Sequence, residues 1–170
     1  NGAATIGGVI GETTRKGDNS NSTIKNCTNA GNLYGTGEIG GVIGAVNHGH
    51  TYTLNGEEIV SNGDNFLVEG CGNSGTITVK KGVEGTSSWA GGVFGKVNIS
   101  KNGTVYIKDC GNSGSIYSEN GKSDRNVDVL GGIGASLENV GCADGTANSY
   151  IYIESCFNKG FVDDSVNYCS

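Results

Sequence analysis

Six cysteines, two histidines and a scatter of acidic side chains are the groups in this chain with the means to do chemistry. Four of the cysteines recur in one phrase: Cys27-Thr28-Asn29-Ala30-Gly31, Cys71-Gly72-Asn73-Ser74-Gly75, Cys110-Gly111-Asn112-Ser113-Gly114 and Cys156-Phe157-Asn158-Lys159-Gly160. Their cysteines stand 44, 39 and 46 residues apart. A zinc site is disfavoured, because no Cys-x-x-Cys occurs and the only nitrogen ligands are His48 and His50. Those two form a His-x-His in a polar connector, close in sequence to Glu57, Glu58 and Asp64, where a transition metal could bind. Two histidines in such a loop are more often simply solvated, and no metal or other cofactor is expected.

Two fates are open to the repeated cysteines. If successive copies stack, neighbouring Cα atoms lie about 4.8 Å apart, within the span of a disulfide. Bridges from Cys27 to Cys71 and from Cys110 to Cys156 would follow. The same column could equally stay a buried row of small apolar thiols. Cys142 and Cys169 fall outside the phrase, near the C-terminal end, and are expected to form a disulfide that ties down the last coil.

The acids do not compose a catalytic set. Glycan hydrolysis or elimination needs paired carboxyls, or an Asp/Arg set, on one face. Glu57-Glu58 and Asp163-Asp164 are sequence neighbours, and adjacent residues of a strand point to opposite sides. Gly-x-Ser-x-Gly, P-loop and His-Glu-x-x-His motifs are all missing. Catalysis is not expected.

Four glycosylation sequons begin at Asn21, Asn26, Asn98 and Asn102. With 20 asparagines and 29 serines and threonines in 170 residues, chance alone supplies about three. Asn98 and Asn102, beside a connector, are the expected carriers, with Asn21 a further acceptor; Asn26 abuts a ladder cysteine and is a poorer one.

The elements that position these groups are written as repeats. Ile6-Gly7-Gly8-Val9-Ile10-Gly11 returns as Ile39-Gly40-Gly41-Val42-Ile43-Gly44, as Ala90-Gly91-Gly92-Val93-Phe94-Gly95 and, degenerate, as Leu130-Gly131-Gly132-Ile133-Gly134-Ala135. Four units result, over about 5–35, 38–80, 89–119 and 128–165, in a single domain. Three residues before each cysteine stand Ile24, Val68, Ile107 and Ile153; six after it stand Leu33, Ile77, Ile116 and Val162. The Gly-Gly segment adds Val9, Val42, Val93 and Ile133. Three apolar columns predict an all-β, right-handed parallel β-helix with three strands per rung and about four rungs.

The polar columns agree. Lys25, Glu69, Lys108 and Glu154 alternate in sign two residues before the cysteines, so in-register stacking sets each charge against its opposite. Beside them Thr23, Leu67, Tyr106 and Tyr152 form a half-aromatic column on the same outer face. Asn29, Asn73, Asn112 and Asn158 are expected at a left-handed corner, with their carboxamides bonded from rung to rung; a polar ligand row is the functional alternative. Connectors at 15–21, 47–65, 82–88, 119–126 and 139–148 are expected as surface loops.

Glycine supplies 32 residues without a Gly-x-y period, which excludes collagen, and proline and methionine are absent. The missing methionine, initiator included, points to a piece of a longer product. A net charge of −6, with Arg15 and Arg125 as the only arginines, argues against nucleic acid. No apolar run approaches a membrane span. An even cysteine count leans toward an oxidising compartment.

The Gly-Gly-Val-Ile-Gly phrase coupled to Asn-x-Gly-x-apolar resembles the GLUG-type repeats of large secreted and cell-surface proteins, over Ile6 to Val162. The fixed cysteine before Asn-x-Gly departs from that pattern. The resemblance implies a stalk or adhesive surface rather than an active site. The expected function is an extracellular or cell-surface structural or adhesive module, one that stacks end to end or continues into further repeats of a parent chain, with glycans or proteins as its other partners. A carbohydrate-binding or carbohydrate-cleaving β-helix is the alternative. Thr51-x-Thr53 and Thr76-x-Thr78 do not recur by unit, so no flat ice-binding array is expected.

Overall fold

The computed structural model describes residues 4–14, 19–48, 51–60, 62–80, 87–119, 128–139 and 148–163. The first unit holds β1 (Ala4–Gly7), β2 (Ile10–Thr14), β3 (Asn21–Lys25), β4 (Thr28–Asn29) and β5 (Leu33–Gly35). The second holds β6 (Gly37–Gly40), β7 (Ile43–Asn47), the hairpin strands β8 (Thr51–Leu54) and β9 (Glu57–Val60), then β10 (Asn65–Glu69), β11 (Gly72–Asn73) and β12 (Ile77–Val79). The third is β13 (Ser88–Gly91), β14 (Phe94–Ile99), β15 (Thr104–Lys108), β16 (Gly111–Asn112) and β17 (Ile116–Ser118). The fourth is β18 (Asp128–Gly131), β19 (Gly134–Asn139), β20 (Tyr150–Glu154), β21 (Phe157–Asn158) and β22 (Val162–Asp163).

Apart from the hairpin, these strands form five four-stranded sheets, each taking one strand from each unit in sequence order. Every pairing is parallel and in register, an arrangement compatible with a parallel β-helix. Ile24, Val68, Ile107 and Ile153 are successive partners, as are Leu33, Ile77, Ile116 and Val162. The short apolar runs are strands because β-branched side chains suit a pleated ladder, and glycine at the bends forbids any longer element.

Each unit contributes five strands where three are predicted. The Gly-Gly segment is a bend between two strands rather than one strand, and the Asn turn carries a two-residue strand of its own. The corner also lies elsewhere than expected. Left-handed backbone falls on the residue before each cysteine, at Asn26, Gly70, Asp109 and Ser155, and not on the ladder asparagines, which are extended. A two-residue strand needs its turn outside it, and a carboxamide that must point inward cannot also form the bend.

One predicted surface loop is a hairpin. β8 pairs antiparallel with β9 across Asn55-Gly56, both at positive φ. Asn-Gly between alternating residues is a strong hairpin signal, so Thr51–Val60 was readable from sequence.

The interior is two apolar compartments. The larger joins Ile43, Val46, Phe66, Val68, Phe94, Val97 and Ile107 with the inner cysteines; the smaller joins Ile39, Ile77, Val79, Ala90 and Ile116. Val42 and Val93 are fully buried as predicted, whereas Val9 of the same column, in the first unit, is 43% exposed.

Candidate functional site

The most ordered polar array is the asparagine row. Asn29 Nδ2 donates to Asn73 Oδ1 (2.8 Å), Asn73 Nδ2 to Asn112 Oδ1 (2.9 Å), and Asn112 Nδ2 to Asn158 Oδ1 (2.8 Å). Each Nδ2 spends its other N–H on the carbonyl two residues ahead, at Gly31, Gly75, Gly114 and Gly160. Asn73 and Asn112 are buried, and their inner carboxamides have both N–H groups bonded, which is the condition for a stable buried polar group.

This row explains the other repeated phrase. A Cβ on Gly8, Gly41, Gly92 or Gly132 would stand 2.4–2.5 Å from a side-chain carbon of Asn29, Asn73, Asn112 or Asn158 respectively. The second glycine of each Gly-Gly therefore clears the space into which the asparagine reaches, and Gly8, Gly41 and Gly92 also admit the carbonyl oxygen of the next unit's glycine, 2.1–2.2 Å from where a Cβ would stand. The two motifs, separate in sequence, are one contact in space. The carboxamide row thus lies against the Gly-Gly bend.

A second close approach fixes the glycine that follows. A Cβ on Gly75, Gly114 or Gly160 would lie 1.9–2.0 Å from the carbonyl oxygen of the equivalent glycine one unit below. A Cβ on Gly31, in the first unit, meets among the described residues only its own Asn29 Oδ1, at 3.4 Å.

The cysteine column consists of free thiols at Cys27, Cys71, Cys110 and Cys156, so the structure has the thiol row and not the bridged one. Each Sγ donates to the carbonyl two residues back, at 3.2–3.4 Å, from Lys25, Glu69, Lys108 and Glu154 respectively. The upper three also reach the preceding unit, at Ile24, Val68 and Ile107. Burial pushes the Cys71 thiol up, and that of Cys110 to about 12. Thiols held this firmly protonated are poor nucleophiles and poor metal ligands. Cys142 and Cys169 lie outside the described residues.

The charge column stands in the predicted register: Lys25 is partnered by Glu69, Glu69 by Lys108, and Lys108 by Glu154. Lys25 and Glu69 form an ion pair at 2.8 Å, and the Lys25 hydrogen bond, then its charge and that of Lys108, hold the Glu69 carboxyl below its ordinary value. The Lys108 ammonium lies 3.9 Å from Asp109. Beside this column the Tyr106 and Tyr152 rings stack at 4.8 Å and 12°. Their facing surfaces are given to each other, which leaves less aromatic face for a ligand.

Several residues stand apart from their predicted settings. His48 is buried, packed edge-on to Phe66 at 5.1 Å, rather than solvated in a loop, and His50 lies outside the described residues. Among the described residues no group of three or more His, Cys, Asp or Glu could hold a metal. Asp64 is buried at a corner, where one oxygen accepts from the Ser20 amide (3.1 Å) and hydroxyl. Asn98 sits inside β14 and not beside a connector; its Nδ2 donates to Asn47 Oδ1 (2.6 Å), and Asn47 donates on to Glu12 (2.5 Å). Ser100 of that sequon is fully buried. Asn21 and Asn102 are exposed, with Asn65 donating to Asn21 and Asn102 donating to Asn62 (both 3.0 Å).

Sequence reasoning missed one concavity. A groove of about 310 Å³ runs over the short strands, with Thr28 at one end, Phe157 at the other, and Gly72, Ser74, Asp109 and Ser113 between. The signal was the column Thr28, Gly72, Gly111, Phe157, where two glycines sit between larger neighbours.

No protein-family model, curated protein or solved structure matches the chain.

Proposed function

We propose that this chain is a structural or adhesive module of an extracellular or cell-surface protein, a right-handed β-helix of four coils built from GLUG-type repeats. One observation carries the reading: the residues repeated most strictly are spent on binding coil to coil. The asparagines bond one another, the glycines admit those bonds, and the thiols bond backbone carbonyls. Chemistry-bearing types are thus used as mortar. A catalytic or ligand-binding row would instead present them unpaired toward a cleft.

The groove beside Phe157 favours a second reading, a carbohydrate-binding β-helix, since it joins an exposed aromatic ring to hydroxyl and carboxylate groups. A glycan array and a panel of polysaccharides separate the two. The structural or adhesive module releases no reducing ends, and any glycan it holds is bound independently of the Phe157 groove. Saturable binding abolished by Phe157→Ala moves the assignment to the second reading. Mass spectrometry of the natively produced protein tests the compartment, with a glycan at Asn21 or Asn102 as the expected mark of secretion and unmodified peptides counting against it.

A further inference from the structure

We infer that Asn55-Gly56, at the tip of the β8–β9 hairpin, is a site of spontaneous succinimide chemistry, where Asn55 becomes isoaspartate and the hairpin is unpaired. The reaction needs two groups free. The amide nitrogen of the residue after an asparagine attacks the side-chain Cγ, a five-membered imide closes, and Nδ2 leaves as ammonia. Water then opens the ring at either carbonyl, giving isoaspartate or aspartate, so the balance is one water in and one ammonia out. Glycine favours the step because it sets no Cβ beside the attacking nitrogen.

The described residues hold three Asn-Gly pairs, alike in that chemistry and unlike in their surroundings: Asn55-Gly56, Asn62-Gly63 and Asn102-Gly103. Two of them are locked at both reacting groups. Asn102 Nδ2 donates to Asn62 Oδ1 (3.0 Å), and Asn102 Oδ1 accepts from the Asn148 amide (3.2 Å). The nucleophilic nitrogens are engaged too: Gly63 N donates to the Lys101 carbonyl (2.7 Å) and Gly103 N to that of Ser100 (3.0 Å). Space is short as well, since a Cβ on Gly63 would stand 2.4 Å from Asn19 Oδ1 and one on Gly103 2.6 Å from Ser100 Oγ.

Asn55-Gly56 has none of these restraints. Both residues are exposed, and a Cβ on Gly56 would meet nothing within 4 Å beyond its chain neighbours. Among the described residues neither the Asn55 carboxamide nor the Gly56 amide has a hydrogen-bond partner. Ring closure carries Asn55 out of the left-handed conformation it holds at φ 52°, so the turn must open first. A two-stranded hairpin opens readily, whereas Asn62 and Asn102 adjoin the four-stranded ladder of β10 and β15. Isoaspartate then adds one backbone carbon to a two-residue turn, which no longer sets Leu54 opposite Glu57.

The test holds the folded, unglycosylated chain at mildly alkaline pH and follows the three sites by fragment-ion mass spectrometry. An isoaspartyl methyltransferase marks isoaspartate, and a parallel sample ages in urea. In the fold Asn55 should react at least about tenfold faster than Asn62 and Asn102, a ratio set by the hydrogen bonds those two must first break. In urea the three rates should converge. Hydrogen exchange should find the amides of 51–60 unprotected in the aged chain and protected in Asn55→Asp, which carries the charge without the extra carbon. Asn55 no faster than the other two in the fold overturns the site. A lead that survives in urea overturns it equally, since the flanking residues and not the hairpin would then confer it. An aged chain with 51–60 still protected overturns the unpairing.

Discussion

The inner two units and the outer two share the same repeated asparagines, glycines and cysteines in the same ladders, yet they differ in what those residues are worth. Asn112 and Asn158 make the same bond to the glycine ahead, but the first is fully buried and the second exposed. Ile107 and Ile153 are ladder partners, the one enclosed and the other nearly half open. Gly75 cannot accept a Cβ and Gly31 can. Stability in such a stack resides in the interfaces between units, so a position's importance follows from its neighbours above and below rather than from its motif.

Substitutions in matched pairs break or sharpen that contrast. The largest effect belongs to Gly75→Ala, which drives a methyl into the Gly31 carbonyl; a loss above about 4 kcal/mol is expected, in the range reserved for gross mechanisms. Gly31→Ala should cost less than about 0.5 kcal/mol. Equal urea midpoints for the pair would end the claim that the glycine column is set by stacking.

Ile107→Ala comes next, at about 2–5 kcal/mol for a large-to-small change in a packed core. Ile153→Ala should cost about 1 kcal/mol, since its side chain is already half in water. Asn112→Ala strands the Asn73 amide and the Asn158 carbonyl oxygen, for a loss of about 1–3 kcal/mol. Asn158→Ala strands only one partner, and denaturant titration should rank it well below.

The thiols extend the contrast to pH. With Cys110 raised from 9 to about 12, its contribution is whole below pH 9 and fades as pH climbs toward 12, because the unfolded chain ionises first. Iodoacetamide at neutral pH should label Cys27 and Cys156 well before Cys71 and Cys110, read by mass spectrometry. Labelling at equal rates would contradict the burial of the inner pair.

The smallest effect is electrostatic. The Glu69 carboxyl is held below 4.5 by Lys25, so the stability this pair adds is present above that pH and lost as pH falls through the lowered value. Lys25→Ala should lower the thermal midpoint slightly at pH 7 and not at all in strong acid. Salt should erase the same difference.

Much of this was legible in the chain. The four-fold recurrence located the strands before and after each cysteine, the apolar positions named their inward columns, and the alternating charges stand in the register they predict. What escaped was local or relational. His48 reads as a polar loop residue because its neighbours are polar, yet Phe66, 18 positions on, packs against its ring and Thr13, 35 positions back, meets its Nε2. Asn98 reads as a sequon beside a loop, since nothing in its own stretch announces that Asn47 will lie under it. The hairpin at Asn55-Gly56 carried its signal openly and was obscured by the turn-rich residues around it.

By itself, then, the sequence determined which residues stack on which, because a repeated pattern in a parallel sheet admits one register that keeps apolar with apolar. Only the tertiary structure decided how the two repeated phrases meet. That Gly8 and Asn29, or Gly92 and Asn112, share one small volume is a fact about the distance across the coil, and no spacing along a chain encodes such a distance. The tertiary structure likewise decided which copies are interior: identical motifs become buried or exposed by position in the stack, since burial is conferred by neighbours.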